Sequence, residues 1–218
     1  MTTEVLISWR SGCHYRERAL AWVQERLCWP VTLCEAPEGP WSKGAAIWPA
    51  AVASDADILI IHDADVCVED LAAAVKAVER GSPWAVPHTY VYRLTEQATD
   101  ALLQGEALPR RASCEQHRGV WGGGIVVLPR ETYLRTPIDP RFEGWGQEDA
   151  SWGWALWRLE GGLGWRGHDD LLHLYHPAAA RMTRMHGSPA SKRLYERYLA
   201  HRETPAKMRR LVNEAIEE

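Results

Sequence analysis

Short apolar runs alternate with helical patterns through the first half of the chain, and this alternation constrains the fold more than any other feature. The clearest strand is predicted over 57–62 (DILIIH), where four apolar residues lie in a row. Other strands are predicted over 4–9, 31–35 and 84–87, and helices over 16–27, 43–53 and 70–80. Strands that are separated by helices need crossover connections. The pattern therefore predicts an α/β domain with a mostly parallel central sheet flanked by helices.

The second half of the chain is less regular. Helices are predicted over 94–104, 129–134 and 148–159, a glycine-rich segment over 118–128 leads into a strand, and a further strand is predicted over 170–175. The polar segment 188–218 is helical in pattern and is divided near Pro205. We therefore expect one domain over 1–187 and a C-terminal helical extension over 188–218. The extension would pack on the domain or on a second copy of the chain, as in a homodimer.

Composition and charge exclude several classes of protein. The chain has 218 residues, enough for one sizeable core, and its hydrophobic (46%) and charged (25%) fractions are typical of a globular protein. It has no run of about 18 apolar residues, so no membrane span is expected. The net charge of -4 argues against nucleic acid as a partner. Five cysteines without CxxC spacing, and no secretory signal pattern, indicate reduced thiols and a cytoplasmic location.

Two carboxylates follow the clearest strand directly, in the segment Asp63-Ala64-Asp65. In an α/β domain, ligands bind outside the carboxyl ends of the strands. Carboxylates in this position can hold Mg²⁺ or Mn²⁺ together with the phosphates of a substrate. The alternative is an Asp-rich turn or a helix cap, but the preceding strand favours the metal site.

A second candidate site is the segment 144–149 (GWGQED), where Glu148 and Asp149 stand at the start of a predicted helix. Acidic residues at a helix N-terminus also stabilise the helix dipole by about 0.3–1 kcal/mol, so a purely structural role is the alternative. The aromatic residues Phe142, Trp145 and Trp152 surround the segment and could form a wall against a sugar ring.

Two histidines, His173 and His176, lie in the segment HLYHP. On a strand they would face opposite sides, whereas in a turn both could reach one ion. One histidine with the distant Asp pair would make a reasonable Mg²⁺ or Mn²⁺ site. The alternative is a surface histidine before a proline turn.

Taken in order, the segments DILIIHDAD, GVWGGGIVVLPRETY, FEGWGQEDASW and HLYHP resemble the GT-A-fold glycosyltransferases. The GWGQED box is most similar to the C-terminal domain of the β-1,4-galactosyltransferases and to the related polypeptide N-acetylgalactosaminyltransferases. The resemblance spans 5–177. It departs from the galactosyltransferases at Gln147, where their box has a glycine, and at His173, where their metal site has a methionine.

The resemblance implies a divalent metal, Mn²⁺ or Mg²⁺, that holds the diphosphate of a nucleotide sugar. Asp65 would ligate this metal with His176, or with His173 as the alternative. Asp63 would lie near the ribose or the metal shell. The resemblance further implies that Asp149 is the catalytic base, and that the neighbouring Glu148 binds the acceptor or orients the base.

The resemblance also implies contacts to the two substrates. Glycines in the run 122–124 would let the backbone approach a substrate without a Cβ in the way. Donor contacts are expected from residues near the ends of the first strands, the starts of the first two helices and the glycine run: Trp9, Arg10, Arg16, Lys43, Asp63, Asp65, Gly123 and Gly124. Acceptor contacts are expected from Trp121, Trp145, Gly146 and Glu148.

The resulting prediction is a metal-dependent, inverting glycosyltransferase that moves a sugar from a nucleotide diphosphate sugar, with UDP the favoured nucleotide, to an acceptor hydroxyl. Two alternatives stay open. The chain could be a non-catalytic domain of the same fold that binds nucleotide or carbohydrate, since fold does not determine function. It could also be a metal-dependent nucleotidyltransferase or phosphohydrolase on a similar sheet.

Overall fold

The computed structural model describes residues 1–106, 113–144, 146–177 and 188–217, so Trp145, a predicted acceptor contact, lies outside the described residues. The strands are β1 (Thr3–Trp9), β2 (Val31–Glu35), β3 (Ile58–Asp63), β4 (Val66–Cys67), β5 (Ala85–Leu94), β6 (Ser113–Arg118), β7 (Ile125–Pro129) and β8 (Trp165–His173). The helices are α1 (His14–Gln24), α2 (Lys43–Ala53), α3 (Leu71–Glu79), α4 (Glu96–Leu103), α5 (Arg130–Arg135), α6 (Glu148–Leu159), α7 (Pro189–His201) and α8 (Pro205–Glu217). None of these helices is long and apolar enough to cross a membrane.

The strands of the described part form one sheet with the order β2-β1-β3-β7-β5-β8-β4, and β6 pairs with β5. β1 pairs in parallel with β2 and β3, and β5 pairs in parallel with β8. β7 runs antiparallel to β3 and β5, and the β4–β8 and β5–β6 pairs are also antiparallel. The predicted α/β fold, a central sheet flanked by helices, is therefore confirmed, with the correction that the sheet is mixed rather than mostly parallel. Alternation along the chain indicates the succession of elements, but it does not indicate that β7 inserts in the opposite direction between β3 and β5.

Helices cover both faces of the sheet and bury an apolar layer on each. Successive residues of a strand point to opposite faces. Ile60 of β3 packs in the same cluster as Leu20 of α1, whereas its neighbour Leu59 packs with Ile47 of α2 and Leu156 of α6. The central strands are therefore buried on both sides, as their unbroken apolar runs indicate.

Helix α2 begins and ends at the residues that the sequence predicts. The side chain of Ser42 accepts a hydrogen bond from the amide of Ala45 (3.2 Å) and caps the helix. A Cβ on Gly44 would lie 2.6 Å from the carbonyl oxygen of Ile138, so the helix approaches the segment after α5 closely. The cap and this contact fix the first turn of α2, which carries Lys43.

Two short strands, β4 and β6, do not correspond to any predicted element. β4 has two residues, too few for a periodic pattern, and exists through its pairing with β8. β5 and β8 are also longer than predicted, because β5 continues to Leu94 and β8 begins at Trp165. Partner strands, rather than local periodicity, stabilise these polar stretches.

The C-terminal helices α7 and α8 pack against α6 through a shared apolar cluster, whose buried members are Phe142, Ala155, Leu194, Tyr198, Met208, Leu211 and Val212. The Tyr198 hydroxyl donates to Asp139 (3.0 Å), which also pairs with Arg141 (2.8 Å). The predicted division at Pro205 is confirmed, since α8 begins there. The division of the chain at 187 and 188 and the homodimer stay predictions.

Candidate active site

The starts of α2, α6 and β7 lie together at the carboxyl end of the central strand β3. The amide of Asp63, the last residue of β3, donates to the carbonyl oxygen of Gly124 just before β7 (2.9 Å). Lys43, the first residue of α2, contacts both Asp63 and Asp149. The structure therefore brings together the Asp pair, the glycine run and the acidic box, which lie far apart in the sequence.

Asp65, His173 and His176 form a cluster that carries the ligand atoms of a metal site. One carboxylate oxygen of Asp65 lies 3.4 Å from Nε2 of His176, and the other lies 3.9 Å from Nε2 of His173. One ligand atom from each residue lies within 4.8 Å of the other two. A carboxylate and two imidazoles fit a divalent metal, and the nitrogens favour Mn²⁺ over Mg²⁺, which prefers oxygen ligands.

Strand β4 brings the two histidines to Asp65. Val66 pairs with His173 in the β4–β8 ladder, and the amide of Leu174 donates to the carbonyl oxygen of Asp65 (2.8 Å). His173 ends β8, and His176 lies beyond the strand, where the two rings come to 5.2 Å between centroids. Because the chain leaves the strand between them, both histidines reach the same carboxylate.

Asp65 is a buried carboxylate with a surplus of positive neighbours. It is 2% exposed, and Nε of Arg16 donates to its Oδ2 (2.9 Å). Burial raises the pKa of Asp65, but the charges of His173, Arg16 and His176 outweigh it and lower the pKa to about 2. Burial also lowers the pKa of His176, which favours the neutral ring that metal ligation requires. Asp65 is therefore ionised, as a carboxylate ligand of a metal must be.

Lys43 bridges two carboxylates of the site. Its Nζ lies 2.6 Å from Oδ1 of Asp63 and 3.2 Å from Oδ1 of Asp149, and the residue is 6% exposed. Burial lowers the pKa of Lys43, but the charges of Asp149 and Asp63 outweigh it and raise the pKa well above its ordinary value. The sequence predicts a phosphate contact for Lys43, whereas the structure places its ammonium between these two aspartates.

Glu148 and Asp149 occupy the first turn of α6 and differ in their surroundings. Burial and the charge of Asp149 raise the pKa of Glu148 to about 8, and its buried Oε2 has no hydrogen-bond partner among the residues that the structure describes. Burial also raises the pKa of Asp149, but the charge of Lys43 opposes this shift. Of the two carboxyls, Glu148 is thus the one that holds a proton more readily, while Asp149 is paired with a cation.

The glycine run packs directly against the acidic box. A Cβ on Gly122 would lie 2.2 Å from the carbonyl oxygen of Asp149, and one on Gly123 would lie 3.1 Å from its Oδ2. Gln147, just before α6, has a φ of 79°, a left-handed conformation that costs about 1–3 kcal/mol for a residue other than glycine. Glycine adopts it easily.

Two predicted donor contacts are engaged elsewhere in the protein. Trp9 is 7% exposed and packs in the core on the α1 and α3 side of the sheet, so it offers little surface to a nucleotide. Arg10 donates to the carbonyl oxygens of Pro37 (2.8 Å) and Gly39 (2.9 Å) and so holds the loop after β2. Donor binding by Arg10 stays a prediction.

The predicted acceptor contacts differ in how they are held. Trp121 is half-buried, packs edge-on against Trp84 (5.0 Å between centroids) and lies under the guanidinium of Arg166 (3.9 Å). Gly146 has a φ of 111° and no atom within 4 Å of the position of a Cβ.

The sequence does not single out Arg166 or the buried His88 as site residues. No motif contains them, and only the folded chain shows that some of their nitrogens have no hydrogen-bond partner among the residues that the structure describes.

No protein-family model matches this chain, and no curated protein matches it in sequence. Solved structures match it in fold. The crystal structure of GalNAc-T7 with UDP, GalNAc and Mn²⁺ has a TM-score of 0.61 at 14% identity, over 98% of this chain and 55% of that chain. This chain thus spans little more than half the length of GalNAc-T7.

A second similar structure is glucosyl-3-phosphoglycerate synthase from Mycobacterium tuberculosis. Its complex with Mn²⁺, UDP-glucose and phosphoglyceric acid has a TM-score of 0.54 at 16% identity, over 92% of this chain and 79% of that chain. Its complex with Mg²⁺ and UDP has a TM-score of 0.52 at 14% identity. At such low identity these likenesses establish the fold, and the mixed sheet with helices on both faces agrees with it. The chain therefore has the GT-A fold of these glycosyltransferases.

Proposed function

We propose that this protein is a metal-dependent glycosyltransferase that moves a sugar from a UDP-sugar to an acceptor hydroxyl. The observation that carries the proposal is the juxtaposition of a metal-ligand cluster, at Asp65, and a paired carboxylate, at Asp149, on one side of the sheet. The first can hold a diphosphate and the second can activate an acceptor. Support for the donor comes from GalNAc-T7 and the mycobacterial synthase, which bind UDP with Mn²⁺ on the same fold.

Asp65, His173 and His176 are the residues that would hold the metal. When bound, the metal supplies Lewis-acid neutralisation of the charge that develops on the diphosphate. Arg16, bonded to Asp65 at 2.9 Å, adds a fixed positive charge beside this position and can contact the same diphosphate. We assign Asp63, at the end of β3, to the ribose side of the donor.

Asp149 acts as the general base in this proposal. The acceptor oxygen attacks the anomeric carbon while the bond from that carbon to the diphosphate oxygen breaks, and the bonding electrons leave with UDP. Asp149 accepts the proton of the acceptor hydroxyl. Lys43, 3.2 Å from Asp149, keeps this carboxylate ionised and in place. Attack opposite the leaving group inverts the configuration of the sugar.

Glu148 has a different role from its neighbour. Burial and the charge of Asp149 raise its pKa, so it holds a proton more readily than an ordinary carboxyl does. A protonated carboxyl can donate a hydrogen bond to an oxygen of the acceptor substrate, whereas an ionised carboxylate can only accept hydrogen bonds. We therefore assign Glu148 to acceptor binding.

Two variants test these assignments, one through its affinity for UDP and the other through its rate of sugar transfer. Asp65→Ala should lower the Mn²⁺-dependent affinity for UDP by about tenfold or more, because a ligand of the metal is removed. Asp149→Asn should lower sugar transfer by about 10²–10⁴-fold with UDP affinity nearly unchanged, since general-base assistance is worth that factor. Isothermal titration of UDP with and without Mn²⁺ measures the first effect, and UDP release with a panel of acceptors measures the second.

Asp55 offers matched controls, because it is an exposed carboxylate beyond the end of α2. Asp55→Ala and Asp55→Asn should change neither quantity. UDP binding that does not depend on Mn²⁺, or that survives Asp65→Ala, would contradict the metal site. A product that retains the anomeric configuration by NMR would contradict Asp149 as the base. Metal-dependent binding without transfer would favour a binding domain, and released pyrophosphate or sugar phosphate would favour the other enzyme classes.

A further inference from the structure

A group of basic side chains surrounds Gly119, at the turn between β6 and the glycine run. The guanidinium of Arg166, on β8, donates through Nη1 to the carbonyl oxygen of Gly119 (3.1 Å). A Cβ on Gly119 would lie 2.8 Å from Nε2 of His88, on β5. Arg118, the last residue of β6, precedes Gly119 and is exposed. We refer to Arg166, His88 and Arg118 as the basic cluster.

The basic cluster has more hydrogen-bonding capacity than its surroundings satisfy. Nε and Nη2 of Arg166 and both ring nitrogens of His88 are shielded from solvent and have no hydrogen-bond partner in the described part of the chain. His88 is fully buried. A buried polar group without a partner costs about 1–3 kcal/mol, and a charged one costs more. Unused donors in this number are therefore expected to be satisfied by a group that binds there.

The two arginines of the basic cluster carry charges that no described carboxylate balances. Within the described ranges no carboxylate forms an ion pair with Arg166 or Arg118. Burial and the charge of Arg118 lower the pKa of Arg166, and burial with the charge of Arg166 lowers the pKa of His88 to about 4. His88 is therefore neutral, and the uncompensated charges are those of the two arginines, which an anion would balance.

The basic cluster adjoins the carboxylate that we assign as the base. A Cβ on Gly123 would lie 3.1 Å from Oδ2 of Asp149, and one on the next residue, Gly124, would lie 3.4 Å from Cε1 of His88. Trp121, stacked under Arg166 at 3.9 Å, lies on the same turn. Two consecutive glycines thus separate the proposed base from the basic cluster.

We propose that the basic cluster binds a phosphate or carboxylate group on the acceptor, with Trp121 as the wall of this subsite. The inference rests on the proposed function, because it identifies the chemical class of the acceptor as an anionic hydroxy compound. A guanidinium binds either oxyanion through two parallel hydrogen bonds, and Arg166 has two donors to spare. The anion would anchor the acceptor while its hydroxyl reaches Asp149.

Binding of three small alcohols to the protein loaded with Mn²⁺ and UDP tests this subsite. Glycerol is neutral, glycerol 3-phosphate carries a phosphate, and glycerate carries a carboxylate. We expect one or both anions to bind about tenfold or more tightly than glycerol by isothermal titration, and Arg166→Gln to remove that difference. Arg118→Gln should weaken the anions severalfold. Arg210→Gln, which removes an exposed arginine of α8, is the matched control and should change nothing.

The affinity for UDP distinguishes failure of this inference from failure of the proposed function. If UDP binds with Mn²⁺ but the anions bind no better than glycerol, the anionic subsite is wrong and the glycosyltransferase proposal stands. Anion binding that persists in both Arg166→Gln and Arg118→Gln also contradicts the subsite. If Arg166→Gln lowers UDP affinity and the melting temperature together, Arg118→Gln decides the question, because its exposed side chain is not part of the packed interior. An unchanged anion affinity in that variant overturns the proposal.

Discussion

Lys43 determines how the carboxylates around it behave. Its ammonium is withdrawn from water and lies 2.6 Å from Asp63 and 3.2 Å from Asp149. A buried cation requires counter-charges, and these two aspartates supply them. In turn the charge of Lys43 opposes the rise in the pKa of Asp149 that burial causes. The charge of Lys43 therefore favours the ionised form of the proposed base.

Removal of this charge should alter the pH dependence of sugar transfer. We expect Lys43→Met to move the acidic limb of the kcat/KM profile to higher pH by about one unit or more, because burial then raises the pKa of Asp149 unopposed. A base accepts a proton in its ionised form, so activity begins at a higher pH. Rates measured from about pH 5 to about pH 9 with one UDP-sugar and one acceptor give the shift.

Two lysine variants show whether charge at this position is the cause. Lys43→Arg keeps the charge and should leave the limb near its wild-type position. Lys76→Met removes an exposed lysine of α3 and should leave the whole profile unchanged. A Lys43→Met profile that falls in height while its acidic limb stays in place would mean that Lys43 does not tune the base.

Helix α6 illustrates how one element is supported from two sides. Its first turn carries Glu148 and Asp149 and packs against the glycine run. Further along, Ala155 packs in the same buried cluster as Leu194 of α7 and Leu211 of α8. The C-terminal helices therefore support the element that presents the acidic box.

Truncation of one buried side chain in α8 should reveal this support. Leu211 is 1% exposed, so Leu211→Ala should lower the free energy of unfolding by about 3 kcal/mol, because the lost methyl groups leave a cavity. Urea unfolding measures the change. Leu199 of α7 is 37% exposed, and Leu199→Ala should cost less than about 1 kcal/mol. Equal losses in the two variants would refute the packing of α8 on α6.

The stability of the whole molecule depends on pH through groups that are buried uncharged. His88 is fully buried, and burial with the charge of Arg166 lowers its pKa to about 4. In the unfolded chain it takes up a proton near its ordinary pKa of about 6.5, so between these values the unfolded chain binds more protons than the folded protein. The contribution of His88 to stability is therefore complete above about pH 6.5 and is lost as the pH falls toward about 4.

This contribution can be isolated by comparing two proteins. Between about pH 7 and about pH 4, we expect wild-type protein to lose about 3 kcal/mol more unfolding free energy than His88→Gln, which has no titratable group there. Urea unfolding at both pH values measures the difference. Glu148, whose raised pKa acts in the opposite direction, is present in both proteins and cancels. The same pH dependence in both would rule out a buried, neutral His88.

Local patterns in the sequence predict most of the helices and strands. They also predict the residue types of the metal-ligand cluster, but not how these residues come together. The helix over Lys43–Ala53 follows from its Ser42 cap, and the helix over Glu148–Leu159 follows from its apolar spacing and its acidic first turn. Asp65 and one of the two histidines are identified as metal-ligand candidates, because carboxylates and imidazoles bind divalent metals and Asp65 directly follows a buried strand. The two-residue β4, which brings them together, has no local signal, because its pairing with β8 is what stabilises it.

By itself, the sequence determines the strand and helix segments, the caps, and the residue types that can bind a metal or accept a proton, since these follow from short-range periodicity and side-chain chemistry. The tertiary structure alone decides that β7 runs antiparallel between β3 and β5 and that Lys43 lies between two aspartates. It also decides that two nitrogens of Arg166 and both ring nitrogens of His88 are shielded from solvent without a hydrogen-bond partner among the described residues. These features depend on contacts between segments far apart in the chain. Their energies come from burial and charge in the assembled fold, which no local pattern records.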